Sequence, residues 1–179
     1  MVEMTIYGVS FDLIGKQPIV LLKTADGNRY LPIWIGHPEA AAILMKLQGA
    51  EAPRPLTHDL LVNILGELDV DVVRVTVTEL RENTFHASIT VAQNGAEVEV
   101  DSRSSDAIAV AVRAQAPIFA ADEVIDESSI EMEGDEINEE EVVDEFRRFL
   151  DKVSAEDFAE AELEVEPEDE DEDGEEEGR

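Results

Sequence analysis

The sequence predicts an α+β fold, a mixed and mainly antiparallel sheet packed with helices, followed by an acidic C-terminal tail. Apolar residues alternate in several short runs bounded by Gly, Asn and Asp, the mark of strands with one buried face. Other segments carry apolar residues three and four apart, the mark of helices. Beyond Ser154 the chain turns Ala/Glu-rich and then almost wholly Asp and Glu, a composition that repels itself and buries no core. A length of 179 residues with 44% hydrophobic content suits one domain with an appendage. The expected boundaries are a domain over 1–127, an acidic linker and helix over 128–153, and a disordered tail over 154–179.

The chain opens with three strands, over Glu3 to Asp12, Pro18 to Leu22 and Tyr30 to Ile35, and Asp26-Gly27-Asn28 makes a hairpin turn between the last two. An antiparallel meander follows from that spacing. Trp34 lies in an otherwise apolar strand and is expected in the core. Gly36-His37-Pro38-Glu39 then starts a helix through Leu47, with Pro in the first turn and Glu where the helix dipole favours it. Pro53-Arg54-Pro55 is an extended linker, and Thr57 is placed to cap a second helix whose Leu60, Leu61, Ile64, Leu65 and Leu68 form one apolar stripe. Val73, Val75 and Val77 alternate with polar residues, as do Phe85, Ala87, Ile89 and Val91, and Asn94-Gly95 turns the chain into Val98 and Val100. Ser104-Ser105-Asp106 should cap a helix from Ala107 to Ala114, apolar on nearly every side and therefore central. Pro117 to Ala120 is a short extended piece. Asn138 to Val153 is the last helix, with Val142, Val143, Phe146, Phe149 and Leu150 in register.

No cysteine is present, which excludes disulfides, thiolate metal ligation and a cysteine nucleophile, and suits a reducing cytoplasm. The N-terminus has neither a basic stretch nor an apolar one, and no apolar run approaches a membrane span. A net charge of −31 opposes phosphate binding, but residues 1–121 hold 15 Asp and Glu against 9 Lys and Arg, a balance of −6. Residues 122–179 carry the remaining −25. Any nucleic-acid site must therefore be a local patch.

Three carboxylates, Glu39, Asp59 and Asp106, fall in the first turns of different helices, and Asp101 ends a strand just before the third. If these helix starts converge, the four carboxylates can share a hard divalent cation, Mg²⁺ or Mn²⁺, with Arg54 and Arg103 nearby to hold a phosphate. Acidic residues are also favoured at helix starts for dipole and capping reasons that need no ligand, and the arginines can simply pair with them. His37 and His58 sit at helix starts, where an imidazole can act as general base or metal ligand, and His58 beside Asp59 is the stronger candidate. Arg113 either neutralises the end of its helix or reaches a site carboxylate. No phosphate-binding loop, nucleophile elbow or His-x-x-x-His pair supports a kinase, triad-hydrolase or zinc-protease reading.

Leu31-Pro32-Ile33-Trp34-Ile35-Gly36 with Glu39-Ala40, then Arg54 through Leu61, then Asp101 through Ala109, with Pro117-Ile118-Phe119 as a small fourth block, resemble the bifunctional nuclease family over roughly residues 5–127. The resemblance implies a mainly antiparallel α+β fold, a homo-oligomer taken to be a dimer, and cleavage of DNA and RNA. It places the family's polar motif residues on Glu39, Arg54, His58, Asp59, Asp101, Arg103, Ser105 and Asp106. Ser104 stands where the family pattern usually has proline. The expected function is a nuclease of low sequence specificity, with Glu39, Asp59, Asp101 and Asp106 as metal ligands. His58, Asp59 and Asp106 are catalytic in this reading, and Arg54 and Arg103 bind phosphate. The alternative is a non-catalytic oligomeric module whose tail docks a basic protein partner.

Overall fold

A computed structural model describes residues 1–131 apart from 13–16, 28 and 51. A first meander, β1 (Val2–Asp12), β2 (Gln17–Thr24) and β3 (Arg29–Trp34), leads into α1 (His37–Leu47) and α2 (Thr57–Glu67). A second, β4 (Asp71–Arg81), β5 (Thr84–Gln93) and β6 (Ala96–Arg103), leads into α3 (Ser104–Ala114). Then come β7 (Ile118–Ala120), α4 (Asp122–Ser128) and β8 (Ile130–Glu131). The strands form one sheet in the order β6-β5-β4-β7-β1-β2-β3-β8, with β4 and β7 its parallel pair and the other neighbours antiparallel. Three-residue β7 joins the two meanders, pairing Val2–Met4 on one side and Val75–Val77 on the other.

The turns follow from residues that accept positive φ. Asn94 at +52° and Gly95 at +81° join β5 to β6, and Glu82 at +50° and Asn83 at +58° join β4 to β5, matching the right-handed twist of a tight hairpin. Val75, Val77, Ala87 and Ile89 take the buried side of the second meander, as their alternation requires. Thr76 and Thr90 on the other side are buried too, so this part of the sheet is covered more fully than one-faced alternation indicates.

Ala107 to Ala111 of α3 are each at most 1% exposed, which makes α3 the central helix its composition predicts. Its small side chains let α1 pack closely, with Ala40, Ala42, Ile43 and Leu44 buried. Each fully buried Leu or Ile, such as Leu22, Leu31, Ile33 or Ile108, contributes about 1.5–3 kcal/mol of transfer free energy.

Several sequence expectations are corrected. Trp34 is 52% exposed: Leu31, Ile33 and Ile35 take the buried side, so a period of two turns Trp34 outward. The apolar stripe of α2 exists, but α2 has no buried residue at all. Leu56 rather than Thr57 is the N-cap of α2, and Arg103 rather than a serine is the N-cap of α3, whose first helical residues are the buried Ser104 and Ser105. Helix α4 and strand β8 were not expected; two buried residues, Val124 and Ile125, hold α4 among acidic neighbours, too few to give a period. The helix expected over Asn138–Val153 and the tail from residue 154 lie outside the described residues.

Candidate active site

The first turns of α1, α2 and α3 meet around Arg103, the last residue of β6. Its Nη2–H donates to Glu39 Oε1 at 2.8 Å, and its Nε and Nη2 donate to both oxygens of Asp106 at 2.7 and 3.2 Å. His58 Nε2 lies 2.9 Å from Asp106 Oδ1. An ionised carboxylate only accepts, so Nε2 carries the hydrogen and, in the neutral ring, Nδ1 is the nitrogen able to take a proton. The His58 and Glu39 side chains are 12% and 14% exposed, whereas Arg103 is 67% exposed. A cleft of about 410 Å³ opens between Pro38, Glu39, Leu56, His58, Arg103 and Asp106. Burial by itself raises the Asp106 carboxyl, but hydrogen bonds from Arg103 and His58, with the Arg103 charge, outweigh it and hold Asp106 below the usual carboxylate range. The same contact with Asp106, joined by Glu39, makes Arg103 harder to deprotonate than a free arginine.

Gly36 explains how Glu39 reaches the cluster. Gly36 is the N-cap of α1, and a Cβ there would collide with the Glu39 carboxylate folded back over it. Glycine at this position keeps that space open. The constraint is written in the sequence as Gly36 three residues before Glu39, but its reason is visible only in three dimensions.

Asp59 stands apart from this cluster. Its Oδ2 accepts the Leu56 N–H at 2.9 Å, capping α2, and its Oδ1 accepts Arg113 Nε–H at 2.6 Å. Arg113, with a side chain only 4% exposed, also donates to Ala109 O and Ala42 O at 2.9 and 3.2 Å. It thus ties α1, α2 and α3 together and, of the two roles weighed from sequence, takes that of reaching a carboxylate, Asp59. Burial pushes the Asp59 carboxyl up, and the Leu56 amide and Arg113 more than reverse it, leaving the pKa lowered. Asp101 is exposed on β6 opposite Ser88, and Arg54 is exposed before α2; neither side chain makes a hydrogen bond or ion pair among the described residues.

The structure therefore gathers Glu39, His58, Arg103 and Asp106, gives Asp59 to a neighbouring pair, and leaves Asp101 and Arg54 at the periphery. Among the described residues, no group of three or more His, Asp and Glu is arranged to hold a metal ion. The guanidinium of Arg103 lies between Glu39 and Asp106, so as the side chains stand these donors do not fit a cation.

Comparison with known proteins meets this site from the other direction. A sequence model of the bifunctional nuclease domain matches residues 20–133, which include every residue named above as a site candidate. The uncharacterized proteins MT1877 and Rv1829 of Mycobacterium tuberculosis strains CDC 1551 / Oshkosh and ATCC 25618 / H37Rv are each 39% identical over 163 residues, covering 87% of this chain and 97% of theirs. Bifunctional nuclease 1 of Oryza sativa subsp. japonica is 28% identical over 103 residues, 55% of this chain and 31% of that one. With the matched domain spanning well over half of its length and containing the cluster around Arg103, the chain belongs to the bifunctional nuclease domain family.

Proposed function

We propose that this protein is a nuclease of low sequence specificity that hydrolyses phosphodiester bonds of DNA and RNA at the cleft around His58, Arg103 and Asp106. The 2.9 Å contact between His58 and Asp106 carries the reading, because a carboxylate that fixes the tautomer of an imidazole beside an open cleft is the arrangement a general base needs. Asp106 holds the ring, and His58 Nδ1 takes a proton from water as its oxygen attacks phosphorus. The P–O bond to the leaving sugar oxygen then breaks, and that oxygen is protonated from solvent. Exposed Arg103, assisted by Arg54 four residues before His58, binds the phosphate and offsets the charge that develops on it. The Oryza sativa relative, named bifunctional nuclease 1, supports the substrate class.

The roles proposed for Mg²⁺ or Mn²⁺ at Glu39, Asp59, Asp101 and Asp106 require Arg103 to leave Glu39 and Asp106, and no step above passes through a cation. The test is cleavage of fluorogenic single-stranded DNA and RNA by the full chain, with either cation or a chelator, beside His58→Asn and Asp106→Asn. Turnover falling roughly 10²- to 10⁴-fold in both variants is the expected result. Absence of turnover, or variants that match the parent, overturns the reading; full activity in chelator removes the metal.

A second reading is favoured by one observation, that Glu39, Arg103 and Asp106 already satisfy one another. The domain is then a non-catalytic module, and the −25 segment docks a basic protein partner. In either reading we propose a homo-oligomer, a dimer built on the outward stripe of α2, acting in the cytoplasm, to which a chain without cysteine is suited. Among the described residues no helix is long and apolar enough to cross a membrane.

A further inference from the structure

We infer that Trp34 is a stacking platform for one unpaired nucleobase of the bound strand, in a second hollow that shares Arg103 with the active-site cleft. This inference rests on the nuclease reading and adds to it a preference for single strands.

Trp34 is the chain's one tryptophan and is 52% exposed at the end of β3. A single exposed apolar side chain is ordinary, but this one walls a hollow of about 310 Å³ together with Gly36, Phe85, Arg103, Ser104 and Ser105. Aromatic surface therefore shares one hollow with Arg103 and with the start of α3, which has no side-chain cap on its first amides. An aromatic face in one hollow with an arginine and a helix start that no side chain caps matches a nucleotide: base on the ring, phosphate on the donors. A protein partner would have no use for the phosphate donors, and a duplex cannot offer the face, because its bases are already stacked on one another.

Geometry links the hollow to the chemistry. Arg103 lines both the cleft holding His58 and Asp106 and the hollow holding Trp34. A phosphate held on Arg103 is consequently placed for attack on one side while its flanking base lies over Trp34 on the other.

Because Trp34 is the chain's one indole, its emission reports the contact directly. The full-length protein is titrated with oligothymidylate, with oligouridylate and with a blunt DNA duplex while tryptophan emission is read, and binding is followed separately by anisotropy of labelled strands. Saturable quenching by both single strands, little by the duplex, and an affinity lowered about ten-fold or more in Trp34→Ala support the inference. Trp34→Phe should retain most of the affinity, and the exposed position leaves the melting temperature unchanged. Strands that bind without quenching, and bind Trp34→Ala equally well, overturn the platform while leaving the nuclease reading in place. No binding of any strand overturns both. Quenching without cleavage by the parent protein keeps the platform and removes the catalytic reading.

Discussion

Arg113 is the residue where most of the local structure converges. Its guanidinium, 4% exposed, serves Asp59 on α2, Ala109 O on its own helix and Ala42 O on α1. Replacing it with Met removes the cation and leaves these acceptors without their donor, at a cost of about 3 kcal/mol, which is on the order of 10 °C in Tm by thermal unfolding. The Asp59→Asn, Arg113→Met double variant should recover part of that loss, since much of it is the penalty of an unpaired carboxylate; strict additivity would refute the coupling. The pH dependence has a definite sign. The Asp59 carboxyl is lowered in the folded chain, so its pairing stabilises fully above the free-carboxylate value near 4 and fades as pH falls through the lowered one. The gap in Tm between the parent and Arg113→Met should narrow in acid. At this scale the sequence tells which residues are polar and where helices begin, and that names Glu39, His58, Arg103 and Asp106 together with Arg54, Asp59 and Asp101, which stand outside the cluster. Which of two acids each arginine meets depends on how α2 crosses α3, and no spacing encodes that. The outward turn of Trp34 was readable, since Leu31, Ile33 and Ile35 already claim the buried side.

Helix α3 shows why small residues recur at the centre of the fold. Ala107, Ala109 and Ala111 lie where α1 comes from one side and β4 and β5 from another, with no volume to spare. Ala109→Leu should cost about 1–3 kcal/mol through overpacking, measured as a shift in the denaturation midpoint, whereas Ala96→Leu at the exposed start of β6 should be near neutral. Equal effects at the two positions would remove the packing argument. Long elements such as β4, β5 and α3 were legible from sequence because each carries many apolar residues in a recognisable order, alternating in β4 and β5 and nearly unbroken in α3. Short elements have no such repeat. Helix α4 buries only Val124 and Ile125 and is tied by ion pairs from the Met1 amino group to Asp122 and from Arg29 to Asp126, and β8 adds two exposed residues to the edge at Arg29 and Tyr30, contacts that only the assembled sheet supplies.

At the scale of the whole molecule, the unusual feature is apolar surface left outside. Leu60, Leu61, Ile64 and Leu68 of α2 are between 41% and 58% exposed, as are Val98 and Val100 on the edge strand β6. The two features meet at one corner: Gln93, opposite Ala96 at the start of β6, donates to Leu68 O at the end of α2 at 2.8 Å. Together they expose on the order of 500 Å² of apolar side chain, near the upper range for a monomer and more than half of a standard interface on one partner. The stripe carries no charged side chain, so a two-fold contact of the patch on itself meets no like charge at its centre, whereas an anionic membrane surface would repel a chain of −31. The dimer proposed above puts a second copy of the chain on this patch. Light scattering on the eluting protein should then give twice 19.8 kDa, and Leu61→Glu with Ile64→Glu should give a folded monomer that melts cooperatively. A monomeric parent would exclude the dimer, and a dimeric double variant would move the interface away from α2. Because α2 begins at Thr57 and His58, a contact along its length also fixes the entry to the cleft, so the monomeric variant should lose strand affinity although neither substitution touches the His58 and Asp106 pair.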